Sequence, residues 1–217
     1  MPEPRDAVVL LDEAGQPIGT TDRTTVHTTA TPLHLAFSLY VVDADDRLLL
    51  TRRALGKTAW PGVWTNSCCG HPRPDESSQD AARRRVHEEL GLDLGAQPLT
   101  TVLPDFRYRA VDVSGVVENE VCPVHVVRLP AGATLSPDPA EVAELAWVPW
   151  ATAQHLVTHA RPLVSPWMAL QVPGLVAALE ALGATTLGAL TRAGDAPAGT
   201  GDERCVKSAG TSLPESA

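Results

Sequence analysis

Gly70-His71-Pro72-Arg73-Pro74-Asp75-Glu76, then Ser77 to Leu90, then Gly91-Leu92, is the stretch from which the fold is read. Ser77 can cap a helix, and Asp80 stands three residues on, where a capping box places its acid. Ala82, Val86 and Leu90 follow at i, i+4 and i+8 and form an apolar stripe. Gly91 stops the helix, because a residue without Cβ enters the left-handed conformation freely. The spacing predicts a helix over Ser77 to Leu90 between two loops. By period alone it is equally an amphipathic helix with a solvated charged face. Just upstream, Asn66-Ser67-Cys68-Cys69-Gly70-His71 sets a thiol, a flexible backbone point and an imidazole side by side at Cys69, Gly70 and His71.

Outward from this stretch, strands are expected on both sides. Ala7 to Leu11 and Pro17 to Thr20 read as a hairpin around Asp-Glu-Ala-Gly. Leu33 to Val42 alternates, with Leu33, Leu35, Phe37, Leu39 and Val41 on one face and His34, Ala36, Ser38 and Tyr40 on the other. Asp43 to Asp46 turns the chain into a strand over Arg47 to Arg53, and Lys57 to Trp64 is a Trp-rich loop. Downstream, Leu99 to Val111 and Val116 to Arg128 flank the turn Asp112-Val113-Ser114-Gly115, and a Pro-rich loop runs to Pro139. Leu145 to Val148 is a short strand. Thr152 to His159 and Trp167 to Leu182 are helical, with Pro173 expected to kink or divide the second. From Ala184 the chain turns small and polar. The division is therefore one domain over 1–183 and a disordered tail over 184–217.

The composition narrows the function classes. The chain has 217 residues, 44% hydrophobic and 20% charged, which suits one sizeable core. A net charge of -9 offers no basic surface for nucleic acid, so an anionic ligand would need a local cationic pocket or a metal. No apolar run is long enough to span a membrane, and Met1 to Asp6 is no signal peptide. The four cysteines, Cys68, Cys69, Cys122 and Cys205, show neither zinc-ribbon spacing nor disulfide-scaffold density. Reduced thiols in a cytoplasmic protein are the expectation. The oligomeric state stays open, with a monomer favoured.

Two resemblances carry the reading further. Gly70, five residues, Glu76, seven residues, Arg84, then Arg85-Val86-His87-Glu88-Glu89-Leu90-Gly91-Leu92 resembles the Nudix box, which binds diphosphate through metal-held glutamates. The box is broken at Arg85, where the hydrolases carry a glutamate. An arginine repels a divalent metal but can fork onto phosphate oxygens. Leu33-His34-Leu35-Ala36-Phe37, Thr51-Arg52-Arg53-Ala54, Ala59 to Ser67, Cys69-Gly70-His71-Pro72, Pro104 to Ala110 and Val117-Glu118-Asn119-Glu120-Val121-Cys122-Pro123 together resemble type I isopentenyl-diphosphate isomerases, over roughly Ala7 to Leu182. The resemblance implies a Nudix-like α/β (α+β) fold, a mixed sheet flanked by helices. It also implies interconversion of isopentenyl and dimethylallyl diphosphate, a small-molecule prenyl diphosphate substrate.

Individual residues carry signals of their own. Glu118 and Glu120 lie two apart in an expected strand, so both leave on one face, and Cys122 continues it. Two carboxylates on an otherwise apolar strand are costly to bury unless paired or metal-bound. His27, His34 and His71 come from three separate segments, and each alone reads as an ordinary histidine. Three imidazoles with two carboxylates suit Zn2+ or Mn2+. The family resemblance implies that assembly at His27, His34, His71, Glu118 and Glu120, and a Mg2+ joining Glu89 to the diphosphate. It further implies that Cys69 and Glu120 exchange the protons, with Tyr108 beside Glu120. Trp167 would face a carbocation, and Arg53, Lys57 and Arg85 would contact the diphosphate. Cys68 and Cys122 read as core cysteines, and Cys205 lies in the tail. Two other readings stand against this one: a Nudix hydrolase of a nucleoside diphosphate derivative, and a non-catalytic Nudix-fold binding module. Arg85 weighs against the first. The thiol of Cys69 with Glu120 weighs against the second.

Overall fold

A computed structural model describes residues 7–193. In chain order its strands are β1 (Ala7–Leu11), β2 (Pro17–Asp22), β3 (His34–Leu35), β4 (Phe37–Val42), β5 (Arg47–Arg53), β6 (Trp64–Thr65) and β7 (Cys68–Gly70). Helix α1 (Ser78–Leu90) follows, then β8 (Thr100–Leu103), β9 (Arg107–Val111), β10 (Val117–Val121), β11 (Val124–Arg128) and β12 (Val142–Pro149). Helices α2 (Trp150–His159), α3 (Pro166–Ala181) and α4 (Ala189–Ala193) close the described chain.

The expected helix is α1. Ser77 caps it, its Oγ accepting from the Asp80 N–H at 3.1 Å and donating to the Asp80 carboxylate at 2.6 Å. The acid answers the hydroxyl, so the capping box forms by a side-chain contact. Gly91 takes φ 61°, and a Cβ there would stand 2.8 Å from the Ser136 carbonyl oxygen. Both the turn and the close approach demand glycine.

Two sheets form, ordered β2-β1-β3-β10-β9 and β12-β5-β4-β11-β8, with β6 added to β5 and β7 to β4. The pairs β3–β10 and β4–β11 are parallel and the rest antiparallel, so both sheets are mixed. Three segments expected as single strands divide between the sheets. Leu33 to Val42 passes from β3 to β4 at Ala36, Leu99 to Val111 from β8 to β9 around Pro104, and Val116 to Arg128 from β10 to β11 at Cys122-Pro123. Pro104 and Pro123 bring no N–H to a ladder, which marks where two of these crossings fall. At the seam the Ala36 N–H donates to the Val121 carbonyl and the Cys122 N–H to the Phe106 carbonyl, at 2.9 and 2.7 Å.

The alternation read along β4 is real, but neither face meets water. Phe37, Leu39 and Val41 pack with Ala82, Val86 and Leu90 of α1, while Tyr40 and Val42 pack with Trp167, Met168, Val172 and Leu175 of α3. Each fully buried large apolar side chain stabilises by about 1.5–3 kcal/mol. The same packing holds α3 together: the helix runs undivided through Pro173, contrary to the division allowed for, with Val172 and Leu175 buried on either side. The boundary expected at Gly183 falls short of the packed chain, because Leu187 and Leu190 are buried in the α3-side core and α4 follows. The rest of that tail expectation, 194–217, lies outside the described residues. No helix among the described residues is long and apolar enough to cross a membrane.

Candidate active site

The seam between the sheets carries a cavity of about 500 Å³. Its wall includes His27, Arg53, Lys57, Cys69, His71, Arg85, Glu89, Tyr108, Glu118, Glu120 and Trp167, every site residue expected from sequence except His34. His34 stands behind His71 and Glu120, fully buried.

Strand register assembles one end. On β10, Glu120 pairs with His34 of β3 on one side and with Tyr108 of β9 on the other. The His34 Nε2 lies 3.2 Å from the His71 Nε2 and 3.4 Å from the Glu120 Oε1, and the His71 Nε2 lies 3.2 Å from that same oxygen. Glu118, two residues back on the same face, has Oε2 2.9 Å from the His27 Nε2. The three imidazole centroids are 5.0–5.3 Å apart. The His34 Nδ1 is 2.9 Å from the Pro32 carbonyl, which can only accept. Nδ1 therefore carries a hydrogen, and Nε2 is the ring atom turned toward the cluster.

The electrostatics of this end are lopsided. Burial draws His71 down to about 4, although Glu120 opposes it. Burial would raise Glu120, but hydrogen bonds from His34 and His71 outweigh it and hold the carboxylate well below its usual range. Glu118 is raised by burial and by the charge of Glu120. The His27 Nε2 and Glu118 Oε2 are buried without a hydrogen bond despite their proximity. Ligand atoms of His27, His34, His71 and Glu120 all lie within 4.8 Å of one another. Inward-facing ring nitrogens, two buried orphan atoms and an imidazole–carboxylate ligand set fit a divalent cation.

Cys69 sits on β7 opposite Ser38 of β4. Its Sγ is 3.1 Å from the Asn66 Oδ1 and 3.4 Å from the Ser38 Oγ. Burial pushes the thiol up to about 12. The Trp167 indole N–H donates to the same Asn66 Oδ1 at 3.0 Å. Tyr108 lies tilted against the Trp167 ring at 6.0 Å, Trp60 edge-on at 5.6 Å, and the Arg53 guanidinium 5.5 Å from its centroid. Burial also raises the Tyr108 phenol well above its usual range, so it stays protonated.

The other end belongs to α1. Arg85 pairs with Glu89 and, at 2.8 Å, with Glu88, and it reaches Glu141 at 3.4 Å. Lys57 pairs with Glu141 as well. Gly70 makes room here, since a Cβ would stand 3.1 Å from the Arg85 side chain. Burial raises Glu89 despite Arg85 beside it. Arg84 grips Glu76 with two bonds of 2.7 Å and donates to the His71 carbonyl at 3.2 Å. The helix thereby holds the loop that carries an imidazole of the first end. Cys68 is buried as expected, but its Sγ lies 3.6 Å from the Glu89 carboxylate.

Sequence reasoning missed Glu141, which lies in a loop without periodicity, and the polar groups beneath Cys69. Asn66 stood inside the quoted Asn66–His71 stretch and could have been found there. Gln171, a fully buried amide on a helix whose one charged residue is Glu180, was the other available signal.

The NUDIX domain profile matches residues 32–168. The chain is 53% identical over 178 residues to the isopentenyl-diphosphate Delta-isomerase of Leifsonia xyli subsp. xyli, covering 82% of this chain and 95% of that one. It is 55% identical over 170 residues to the isomerase of the same name from Cutibacterium acnes, covering 77% and 85%. Among solved structures, DR0079 from Deinococcus radiodurans superposes with a TM-score of 0.59 at 18% identity, over 77% of this chain and 97% of that one, a likeness of fold. With a Nudix match across the seam and identity above one half along nearly the whole of these relatives, the chain belongs to the Nudix family and, within it, to the isopentenyl-diphosphate Delta-isomerases.

Proposed function

We propose that the cavity interconverts isopentenyl and dimethylallyl diphosphate by proton transfer at Cys69 and Glu120. The observation that supports this most directly is their placement. They come from different sheets, line one cavity, and are accompanied there by Tyr108 and Trp167, while Lys57 and Arg85 lie at the other end. Moving the double bond adds a proton to the terminal methylidene carbon and removes one from the methylene on the far side of the tertiary carbon. Toward dimethylallyl diphosphate, Glu120 with Tyr108 gives the first proton and the Cys69 sulfur takes the second. In the reverse direction the thiol of Cys69 gives and the Glu120 carboxylate takes. The thiol pushed up to about 12 and the depressed Glu120 carboxylate describe the protonation state from which that reverse direction starts.

Between the two groups the substrate passes through a tertiary carbocation. The Trp167 ring, with Tyr108 and Trp60 against it, offers that cation a π face and keeps water away, worth about 0.5–2 kcal/mol or more when dry. Arg53, Lys57 and Arg85 orient the diphosphate. His27, His34, His71, Glu118 and Glu120 would hold one Zn2+ or Mn2+, and Glu89 would share a Mg2+ with the diphosphate. Such cations supply charge that keeps Glu120 oriented and neutralises the phosphate oxygens. The protein acts as a monomer in the cytoplasm on a free prenyl diphosphate in this reading.

Turnover in heavy water tests it. Dimethylallyl diphosphate formed there carries deuterium in a methyl group, and the reverse reaction labels the methylene carbon. Cys69→Ala and Glu120→Gln each lose at least about 10²–10⁴-fold in rate, the span of a general acid or base. Unlabelled product, or a Cys69→Ala protein turning over near the wild-type rate, overturns the assignment.

A further inference from the structure

Beneath Cys69, on the side away from the cavity, lies a line of fully buried polar side chains in the core: Ser38, Tyr40 and Gln171, with Cys122 beside them. The donors in this line can be assigned by counting. The two Asn66 amide hydrogens go to the Leu39 and Cys68 carbonyls at 3.1 and 3.0 Å, so its Oδ1 faces Cys69 purely as an acceptor. The thiol hydrogen therefore points at Asn66.

Gln171 is fixed in the same way. The Tyr40 hydroxyl donates to the Gln171 Oε1 at 2.9 Å. With the amide turned over, the buried Tyr40 hydrogen would have no acceptor among the described residues. The Gln171 Nε2 consequently donates to the Ser38 Oγ at 2.9 Å. Ser38 has one hydrogen of its own and two sulfurs in reach, Cys69 and Cys122, each at 3.4 Å. The Cys122 thiol has no oxygen acceptor given among the described residues other than the Ser38 Oγ. If Cys122 donates to that oxygen and Ser38 donates to Cys69, every hydrogen in the line is placed, the second Gln171 Nε2 hydrogen facing the Cys122 sulfur at 4.0 Å. The reverse choice leaves the Cys122 hydrogen unplaced, and buried donors are rarely left so.

We infer that Ser38 is a positioning residue for Cys69, the last donor of a Tyr40–Gln171–Ser38 chain that sets the direction of the sulfur's lone pairs toward the reacting carbon. The pairing of β4 with β7 places the hydroxyl directly across from the cysteine. Asn66 binds Trp167 as well as Cys69, so the sulfur and the indole face are held by one amide. This rests on the reading that Cys69 exchanges a proton with the substrate.

The test compares Ser38→Ala, Gln171→Met and Cys69→Ala, each assayed as the full-length, metal-loaded enzyme. Substrates are isopentenyl diphosphate and the same compound deuterated at the methylene from which Cys69 takes the proton. Ser38→Ala is expected to lose about 10- to 50-fold in kcat, the range for one buried hydrogen bond, with KM within about twofold. Gln171→Met moves in the same direction by a smaller factor. In both, the primary isotope effect rises above that of the wild type, because the Cys69 step becomes more rate-limiting. A merely loosened core would lower the active fraction and leave the isotope effect where it was. An unchanged isotope effect, or wild-type kcat in Ser38→Ala, overturns this inference while an inactive Cys69→Ala leaves the role of Cys69 intact. An active Cys69→Ala overturns that role first, and this inference with it.

Discussion

The two ends of the cavity are built on opposite electrostatic plans. At the seam, His34 and His71 turn ring nitrogens toward each other and toward the Glu120 carboxylate, and Glu118 and His27 keep buried atoms without hydrogen bonds. At α1, Arg85 is matched by Glu88, Glu89 and Glu141, and Lys57 by Glu141. The first end gathers metal-ligating atoms within 4.8 Å of one another and fits a cation among them. The second pairs its two cations with three carboxylates, so a diphosphate bound there would compete with Glu88, Glu89 and Glu141 for them. One end keeps buried polar atoms without partners, and the other has already paired its cations.

The largest effect expected from this contrast is at His34. His34→Ala should lose its transition metal and about 10²–10⁴-fold in activity, since Glu120 is no longer held in place. Glu89→Gln should keep that metal and raise only the Mg2+ requirement. Elemental analysis of both proteins decides the matter, and a Glu89→Gln protein stripped of transition metal would merge the two ends into one. Next in size is Arg85→Gln, which should raise the KM for isopentenyl diphosphate by about 10- to 100-fold, as loss of a charged hydrogen-bond donor does. With the wild type, nucleoside diphosphate derivatives and Mg2+ should release no nucleoside monophosphate, and steady release would restore the hydrolase reading.

Glu141→Gln should act more gently and in the opposite direction. Relieving Lys57 and Arg85 of a competing carboxylate should lower KM by about threefold, with the effect fading at high salt because the pair is partly exposed. A raised KM would mean that Glu141 helps to hold the diphosphate end together. The smallest effect concerns pH. His125 lies outside the cavity, bonded to the Thr101 and Ser78 hydroxyls at 3.0 Å, and burial draws it down to about 4. Between about 6.5 and 4 the unfolded chain binds the extra proton, so stability is full above that window and falls as the pH drops through it. His71 shares the direction. Melting temperatures of wild type and His125→Gln between pH 7 and 4 isolate the His125 share, and a variant with the wild-type slope would show that His125 contributes none of it.

Local rules placed much of this molecule. The capped helix Ser78–Leu90, the hairpin at Asp112–Gly115 and the one-face placement of Glu118 and Glu120 each depend on residues within one turn or one strand of each other. The family resemblance added the long-range list of ligands, which spacing alone could not have joined. Where local reading failed, the cause was distant packing. Leu33 to Val42 alternates as one strand would, but at Ala36 the chain trades one sheet for another, and only the partners Val121 and Pro123 show it. Pro173 reads as a kink or a division, and the division does not occur, because the helix's buried neighbours outweigh the lost bond. Leu187 and Leu190 look like tail residues until the α3-side core is seen beneath them.

The sequence by itself determined the helix with its caps, the box with an arginine in place of a glutamate, and the kinds of group available for proton transfer. Only the tertiary structure decided that Ser38 and Gln171 stand behind Cys69, that Cys68 faces the other way onto Glu89, and that Glu141 pairs with Lys57 and Arg85. The physical reason is that capping, period and strand alternation act between neighbours along the chain. A buried hydrogen bond or ion pair is instead chosen by whichever partner the folded core brings within about 3 Å, at any distance in sequence.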